Sequence, residues 1–210
     1  MPIAPHIVVV HGLGRTRFDM GLLAHRLNKR FPDSKVHAFG YASRKLTLAE
    51  STEQLANFVN RITESEPVSF VGHSLGGIVV RSLDLSGMSK APLHRLVTLG
   101  SPHGGARIAQ ILAQYRISRV IFGPILNELA VLNLSPNPQT LEIGCVVGAT
   151  GSRFGFLPIF GCDNDGLVLT SEAKFSGCTD HITRFSFHGT MPFSSALAEL
   201  AGRFLESGRF

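Results

Sequence analysis

The chain has 210 residues, of which 44% are hydrophobic and 17% charged, with 22 glycines and a formal net charge of +5. This length and composition suit one globular domain with a sizeable core, and they exclude a disordered, collagenous or coiled-coil chain. The lysines and arginines are scattered with no run of four or more, so the positive balance reads as surface charge and no nucleic-acid partner is expected.

The elements follow in chain order from apolar periodicity. Ile7–Val10 is a continuous apolar strand leading into His11-Gly12-Leu13-Gly14, and Arg17–Phe31 has helical spacing through Phe18, Leu22, Leu23 and Leu27. Val36–Phe39 is a second strand, Leu46–Ile62 a second amphipathic helix and Val68–Val71 a third strand. A sharp turn at Gly72–Gly77 leads into a helix through about Leu85, and Leu93–Leu99 is a fourth strand. The stretch Ala106–Leu134 is helical with a break at Gly123-Pro124. Leu141–Val147 is a fifth strand, Gly148–Gly166 a glycine-rich loop, Ile182–Phe187 a sixth strand and Phe193–Leu205 a closing helix. Unbroken apolar strands are buried on both faces, and strand–helix alternation implies parallel crossovers. The expected fold is α/β: a mainly parallel sheet of about six strands with helices on both faces. A single domain spans 1–210, and its one cap-sized excursion is 106–138.

Three cysteines make no disulfide framework. Cys145 reads as a small buried hydrophobe, whereas Cys162 and Cys178 sit in loops and could pair only in an exported protein. Met1–Pro5 has no basic region and Ile7–Val10 is too short for a signal peptide or membrane span, so a cytoplasmic location is expected.

Gly72-His73-Ser74-Leu75-Gly76 places Gly-x-Ser-x-Gly between a strand and a helix. Such an elbow turns the chain within one residue and lifts the serine hydroxyl above the sheet edge. Its glycines leave room for strand and helix to approach. The Leu75 N–H, at the helix start, then faces the position of an oxyanion, and the Leu13 N–H is the candidate second donor. A dinucleotide-binding turn at Gly12-x-Gly14 is rejected because Arg17 stands where a third glycine is needed. The elbow pattern orders its partners as Ser, acid, His. Asp165, in Asp163-Asn164-Asp165-Gly166, is the candidate acid and Asp163 its alternative. His188 follows the sixth strand on the Ser74 edge, while His181 precedes it on the opposite edge. The catalytic assignment is therefore Ser74, Asp165 and His188. The nine histidines show no metalloprotease spacing, so neither metal nor cofactor is expected.

These motifs, with Tyr41-Ala42-Ser43-Arg44, Gly100-Ser101-Pro102-His103-Gly104-Gly105, Asn164-Asp165-Gly166-Leu167-Val168 and the ending Phe204–Phe210, resemble the α/β-hydrolase superfamily. More narrowly, they resemble its bacterial triacylglycerol lipase and PGAP1-like group. The resemblance implies an α/β sandwich that hydrolyses carboxylic esters, often of lipids, with the Asp of the Asn-Asp-Gly-Leu-Val pattern as acid and a His roughly twenty residues later. The chain is shorter than secreted lipases and lacks their leader, which points to a smaller or intracellular ester. The partner expected is a small-molecule ester or lipid. Thioester, amide or acyl-transfer chemistry on the same residues, or a silent hydrolase fold that only binds, are the alternatives. Candidate substrate-binding residues are Phe18, Met20, Ile108, Phe122, Leu157 and Met191. The mixed apolar and Arg-rich character of 106–138 raises transient contact with a membrane surface.

Overall fold

The computed structural model describes residues 3–210, so the reading of Met1–Pro5 begins at two residues outside that range. Six strands form one sheet in the order β2-β1-β3-β4-β5-β6, every neighbouring pair parallel. They are β1 His6–Val10, β2 Lys35–Phe39, β3 Val68–His73, β4 Leu93–Leu99, β5 Glu142–Ala149 and β6 Asp180–Phe185. The principal helices are α1 Gly21–Arg30, α2 Leu48–Ile62, α3 Leu75–Ser86, α4 Arg107–Ala113, α5 Arg116–Phe122, α6 Ile125–Ala130 and α7 Ser195–Ser207.

Successive side chains of a strand point to opposite faces, which is why an unbroken apolar run serves a doubly covered sheet. In β1, Val8 and Val10 join one core with Leu55 and Val59 of α2 and Ile78 and Leu83 of α3. Ile7 and Val9 join the other with Leu23 and Leu27 of α1 and Ala201 and Phe204 of α7. Both terminal helices thus cover one face, and α2, α3 and the 106–138 segment the other. Between β1 and β3 the chain order reverses, since β2 lies on one side of β1 and β3 on the other. Loops leaving the carboxyl ends of β1 and β3 part there and leave a crevice, the usual ligand position in such sheets.

Several boundaries differ from the sequence reading, each for a local reason. The first helix is preceded by a 3₁₀ turn, Arg17–Met20, stabilised by a reciprocal Thr16–Asp19 capping box. Residues 106–138 form three short helices, not two. Tyr115 takes an extended backbone (φ −102°, ψ 125°), and the Gln114 and Tyr115 N–H groups close on Ile111 and Leu112 as a tight final turn. β6 lies at the sheet edge and begins two residues early, and its outward residues are exposed, so burial on both faces fails there. Phe187 therefore falls outside the strand, immediately before a 3₁₀ turn that starts at His188. All three cysteines are free, and Cys178 lies against Cys145, not Cys162. Among the described residues no helix is long and apolar enough to cross a membrane.

Phe204 is the largest anchor of α7. It is fully buried, and its ring lies where a side chain at Gly144 would be. Phe204→Ala is expected to lower the unfolding free energy by about 3–5 kcal/mol. Urea titration at neutral pH checks this, and a loss under about 1 kcal/mol would mean that α7 does not depend on this ring.

Candidate active site

The sequence of β3 runs straight into the elbow. Ser74 is the one described non-glycine residue with positive φ, at φ 54° and ψ −122°, and α3 begins at the next residue. That backbone is the first-corner geometry of a type II′ turn, which glycine adopts without strain and serine does not. The approach it permits is close. A Cβ on Gly76 would overlap the Val10 carbonyl oxygen, and one on Gly72 would lie 2.5 Å from Gly77. α3 opens at Leu75, so the Leu75 N–H belongs to a first helical turn, where donors generally lack intrahelical acceptors, while the Gly77 N–H closes on the Ser74 carbonyl at 3.1 Å.

The loop after β1 packs directly on this turn, since a Cβ on Gly12 would stand 2.9 Å from Ser74 Cβ. Its shape is fixed by His11 and by residues after β2. His11 Nδ1 donates to the Gly12 carbonyl (2.9 Å), and its Nε2 accepts from the Tyr41 N–H (3.3 Å). The Tyr41 hydroxyl donates to the His11 carbonyl (3.0 Å), the two rings stack at 4.5 Å, and the Gly14 N–H donates to Ser43 Oγ (3.0 Å). Burial holds the His11 imidazole below its ordinary range, consistent with the neutral tautomer these bonds require. Among the described residues the Leu13 N–H forms no protein hydrogen bond.

Asp165 and His188 form a buried side-chain pair. Asp165 Oδ2 accepts from His188 Nδ1 at 2.8 Å, and Oδ1 accepts from the N–H groups of Leu167 (3.0 Å) and Val168 (2.8 Å). The His188 N–H donates to the Asp165 carbonyl (2.8 Å), so backbone and side chain fix the same pair. With Nδ1 donating, Nε2 of a neutral His188 carries the free lone pair. Asp163 is occupied elsewhere. Its carboxylate accepts from the Thr150 N–H and hydroxyl and the Gly151 N–H, closing the loop after β5. His181 is exposed at the opposite end of β6, in register with Cys145. Gly100, at φ 60°, is required beside the pair, because a Cβ there would lie 2.9 Å from Asp165 Oδ2 and 3.1 Å from His188 Nδ1.

Two supports carried no sequence assignment. Fully buried Asn164 organises the glycine-rich loop. Its Oδ1 accepts from the Leu157 and Gly166 N–H groups, and its Nδ2 donates to the carbonyls of Leu157, Cys162 and Phe154. The Asn-Asp-Gly spacing was visible, but it could not show that the amide faces inward. His73, next to Ser74, donates from Nε2 to the His188 carbonyl (3.0 Å). Burial above all, then the nearby His188 and Arg15, push the His73 imidazole well below its ordinary range.

Ser74, His73 and His188 share the wall of a cavity of about 320 Å³. Among the described residues no hydrogen bond joins Ser74 to His188; such contacts are often long and tighten around a substrate. The remaining wall is almost wholly apolar, with Ile108, Leu112 and Phe122 from the 106–138 segment facing Leu167 and Phe187. Of the six substrate candidates, Ile108 and Phe122 line this cavity and the other four do not. Phe18 stands 77% exposed on the far side of the β1 loop. Met20 and Met191 are fully buried in the α1–α7 core, because the 3₁₀ turns that carry them roll these side chains under the sheet. Leu157 serves Asn164 through its backbone. A wider open depression of about 770 Å³ beside α2 contains none of Ser74, Asp165 or His188.

The family model for palmitoyl protein thioesterase matches residues 6–135, which include the β1 loop, the elbow and most of the 106–138 segment. Among solved structures, a Bacillus licheniformis lipase in its mature form superposes with a TM-score of 0.79 at 19% identity, covering 98% of this chain and 94% of the lipase. A Listeria innocua protein gives 0.64 at 18% identity over 99% and 95%, and a Paleococcus ferrophilus monoacylglycerol lipase 0.59 at 14% over 97% and 93%. These likenesses place the fold among α/β-hydrolases. No curated protein matches the chain by sequence.

Two stability measurements follow from the site. Ser74→Gly should relieve the backbone strain and raise the unfolding free energy by about 1 kcal/mol, while Ser74→Ala, which keeps the Cβ, should leave it nearly unchanged. Equal values for both variants would remove the strain argument. His11, His73 and His103 are each held below 6.5 chiefly by burial, so the unfolded chain binds protons that the folded one refuses. Their stabilisation is complete above pH 6.5 and is lost as pH falls below it, by up to about 1.4 kcal/mol per pH unit for each histidine. Urea unfolding at pH 7 and pH 5 should show that decline, and His103→Gln should flatten it.

Proposed function

The chain belongs to the palmitoyl protein thioesterase family within the α/β-hydrolase superfamily, and from that premise we propose that it is a serine hydrolase cleaving a carboxylic ester through Ser74, His188 and Asp165. The observation that carries this reading is the 2.8 Å bond from His188 Nδ1 to buried Asp165, with the imidazole and Ser74 facing one apolar cavity. His188 Nε2 takes the Ser74 proton as Oγ attacks the substrate carbonyl. The N–H groups of Leu13 and Leu75 receive the oxyanion, and Asp165 stabilises the imidazolium. Collapse of the tetrahedral adduct expels the alcohol, protonated by His188, and leaves an acyl-Ser74. Water, deprotonated by His188, then attacks that acyl group, and the acid departs as Ser74 regains its proton.

An acyl chain fits the cavity because Ile108, Leu112, Phe122 and Leu167 offer it no hydrogen bonds to lose. Residues 106–138 serve as a cap on this single hydrolase domain. On α5, exposed Ile117 and Val120 alternate with Arg116 and Arg119, a face suited to transient contact with a lipid surface. A thioester is the second reading, favoured by the family match, and the same residues would cleave it with a thiol as leaving group.

The test is hydrolysis of p-nitrophenyl esters and acyl thioesters of two to sixteen carbons. Ser74→Ala should abolish turnover, Asp165→Asn should lower kcat by about 10³- to 10⁴-fold, and Asp163→Asn should remain within a few-fold of wild type. An optimum at medium or long chains is expected from the apolar cavity. If the wild type turned over no ester or thioester and a fluorophosphonate failed to label Ser74, the fold would be a silent binder. If Asp163→Asn were the crippling variant, the acid assignment would be wrong.

A further inference from the structure

Arg15 follows the β1 loop by one residue, yet its guanidinium is bound to the loop that carries His188. Nη2 donates to the Gly189 carbonyl at 2.7 Å, across a sequence separation of 174 residues, and Nη1 pairs with Asp19 at 3.3 Å. Asp19 is itself held by the Thr16 N–H (2.7 Å) and hydroxyl (2.8 Å). The guanidinium also lies 5.8 Å from the centre of the Phe193 ring, in the same 3₁₀ turn as His188. Both terminal nitrogens of this planar fork are thus engaged by the protein, with an aromatic ring near its face, and Arg15 reaches the cavity wall beside Ser74 and His188.

The geometry points to Arg15 as a positioning residue: a side-chain strap that fixes the spacing between the Leu13 oxyanion donor and the His188 base. The inference rests on the roles given to Ser74 and His188 above. Parallel strands β1 and β6 are separated by β3, β4 and β5, so no ladder hydrogen bond sets the distance between their following loops. His188 is otherwise tied to Asp165 and, through its carbonyl, to His73, which orient it towards the acid and the elbow. Arg15 is the direct tie from the base-bearing turn to the segment that carries Leu13. A fork donating to a backbone carbonyl and a carboxylate holds that spacing more rigidly than a single flexible ammonium can. Because both terminal nitrogens already donate to protein acceptors, it contributes to the reacting geometry and not to substrate affinity.

The experiment uses the full chain with Arg15→Ala, Arg15→Lys and Asp19→Asn. It is read by p-nitrophenyl butyrate kinetics, the rate of Ser74 labelling by a fluorophosphonate, and hydrogen–deuterium exchange of residues 186–194. In Arg15→Ala, kcat and the labelling rate should fall together by about 10- to 100-fold while KM stays within about two-fold, because displacement of a catalytic group by about 1 Å costs that much. Added guanidinium at non-denaturing concentration should restore part of the loss, Arg15→Lys should recover less than wild type, and Asp19→Asn should show a smaller decline in the same direction. A rise in KM with unchanged kcat would make Arg15 a substrate-binding group and overturn the proposal, as would kcat within three-fold of wild type in a cooperatively folded Arg15→Ala. Exchange at 186–194 should accelerate in Arg15→Ala whether or not any ester is turned over. Unchanged protection would overturn the strap itself, whereas faster exchange in a chain that cleaves nothing would sink only the hydrolase reading.

Discussion

The approach of the elbow to the end of β1 governs the geometry of everything built around it. Gly76 lies against the Val10 carbonyl, Gly12 against Ser74, and Gly72 against Gly77, each too close for a side chain. Three backbones therefore converge above the sheet edge where β1 and β3 separate, without any flexible side chain having to be ordered. Serine at positive φ is the local cost, and the surrounding glycines, together with the close packing of β3 and α3, hold it in place.

A second ring of interactions converts that point into an oriented site. It consists largely of neutral polar groups that are nearly inaccessible to water. His11 braces the β1 loop against Tyr41, His73 braces the His188 turn, and Asn164 braces the loop that presents Asp165. His103 does the same beneath the start of the cap, where its Nε2 lies 3.1 Å from Thr98 Oγ1 and its Nδ1 3.1 Å from Arg81 Nη1. The His11 and His103 rings and the Asn164 amide have their donors and acceptors assigned by neighbours, while His73 is held through Nε2 alone, its Nδ1 buried without a partner among the described residues. A change in one loop is therefore felt in the next.

The sheet was legible in the sequence because unbroken β-branched runs such as Ile7–Val10 have only one economical use in an α/β chain. The elbow was legible because Gly72, Ser74 and Gly76 sit between such a run and a helix. The placing of His188 and His181 at opposite ends of β6 was also legible, since it depends only on where the strand falls between them. The lining of the cavity was not. Phe18, Met20, Leu157 and Met191 lie near it in sequence, but short 3₁₀ turns and an irregular loop decide which way they face, and no periodicity encodes that. Arg15 was invisible for a related reason: its partner, Gly189, is a backbone carbonyl, which leaves no side-chain signature.

The all-parallel order has a consequence in time. The loops that meet at Ser74 come from β1, β3, β4, β5 and β6, and the His73–His188 and Arg15–Gly189 contacts span 115 and 174 residues. A growing chain emerging from the ribosome exposes the elbow after about a third of its length, but His188, the base in the proposed mechanism, arrives only when the segment following β6 has been made. α7 must also then close over the far face. Under that mechanism chemical competence comes in one late step, and a polypeptide halted midway would carry an unactivated Ser74 hydroxyl.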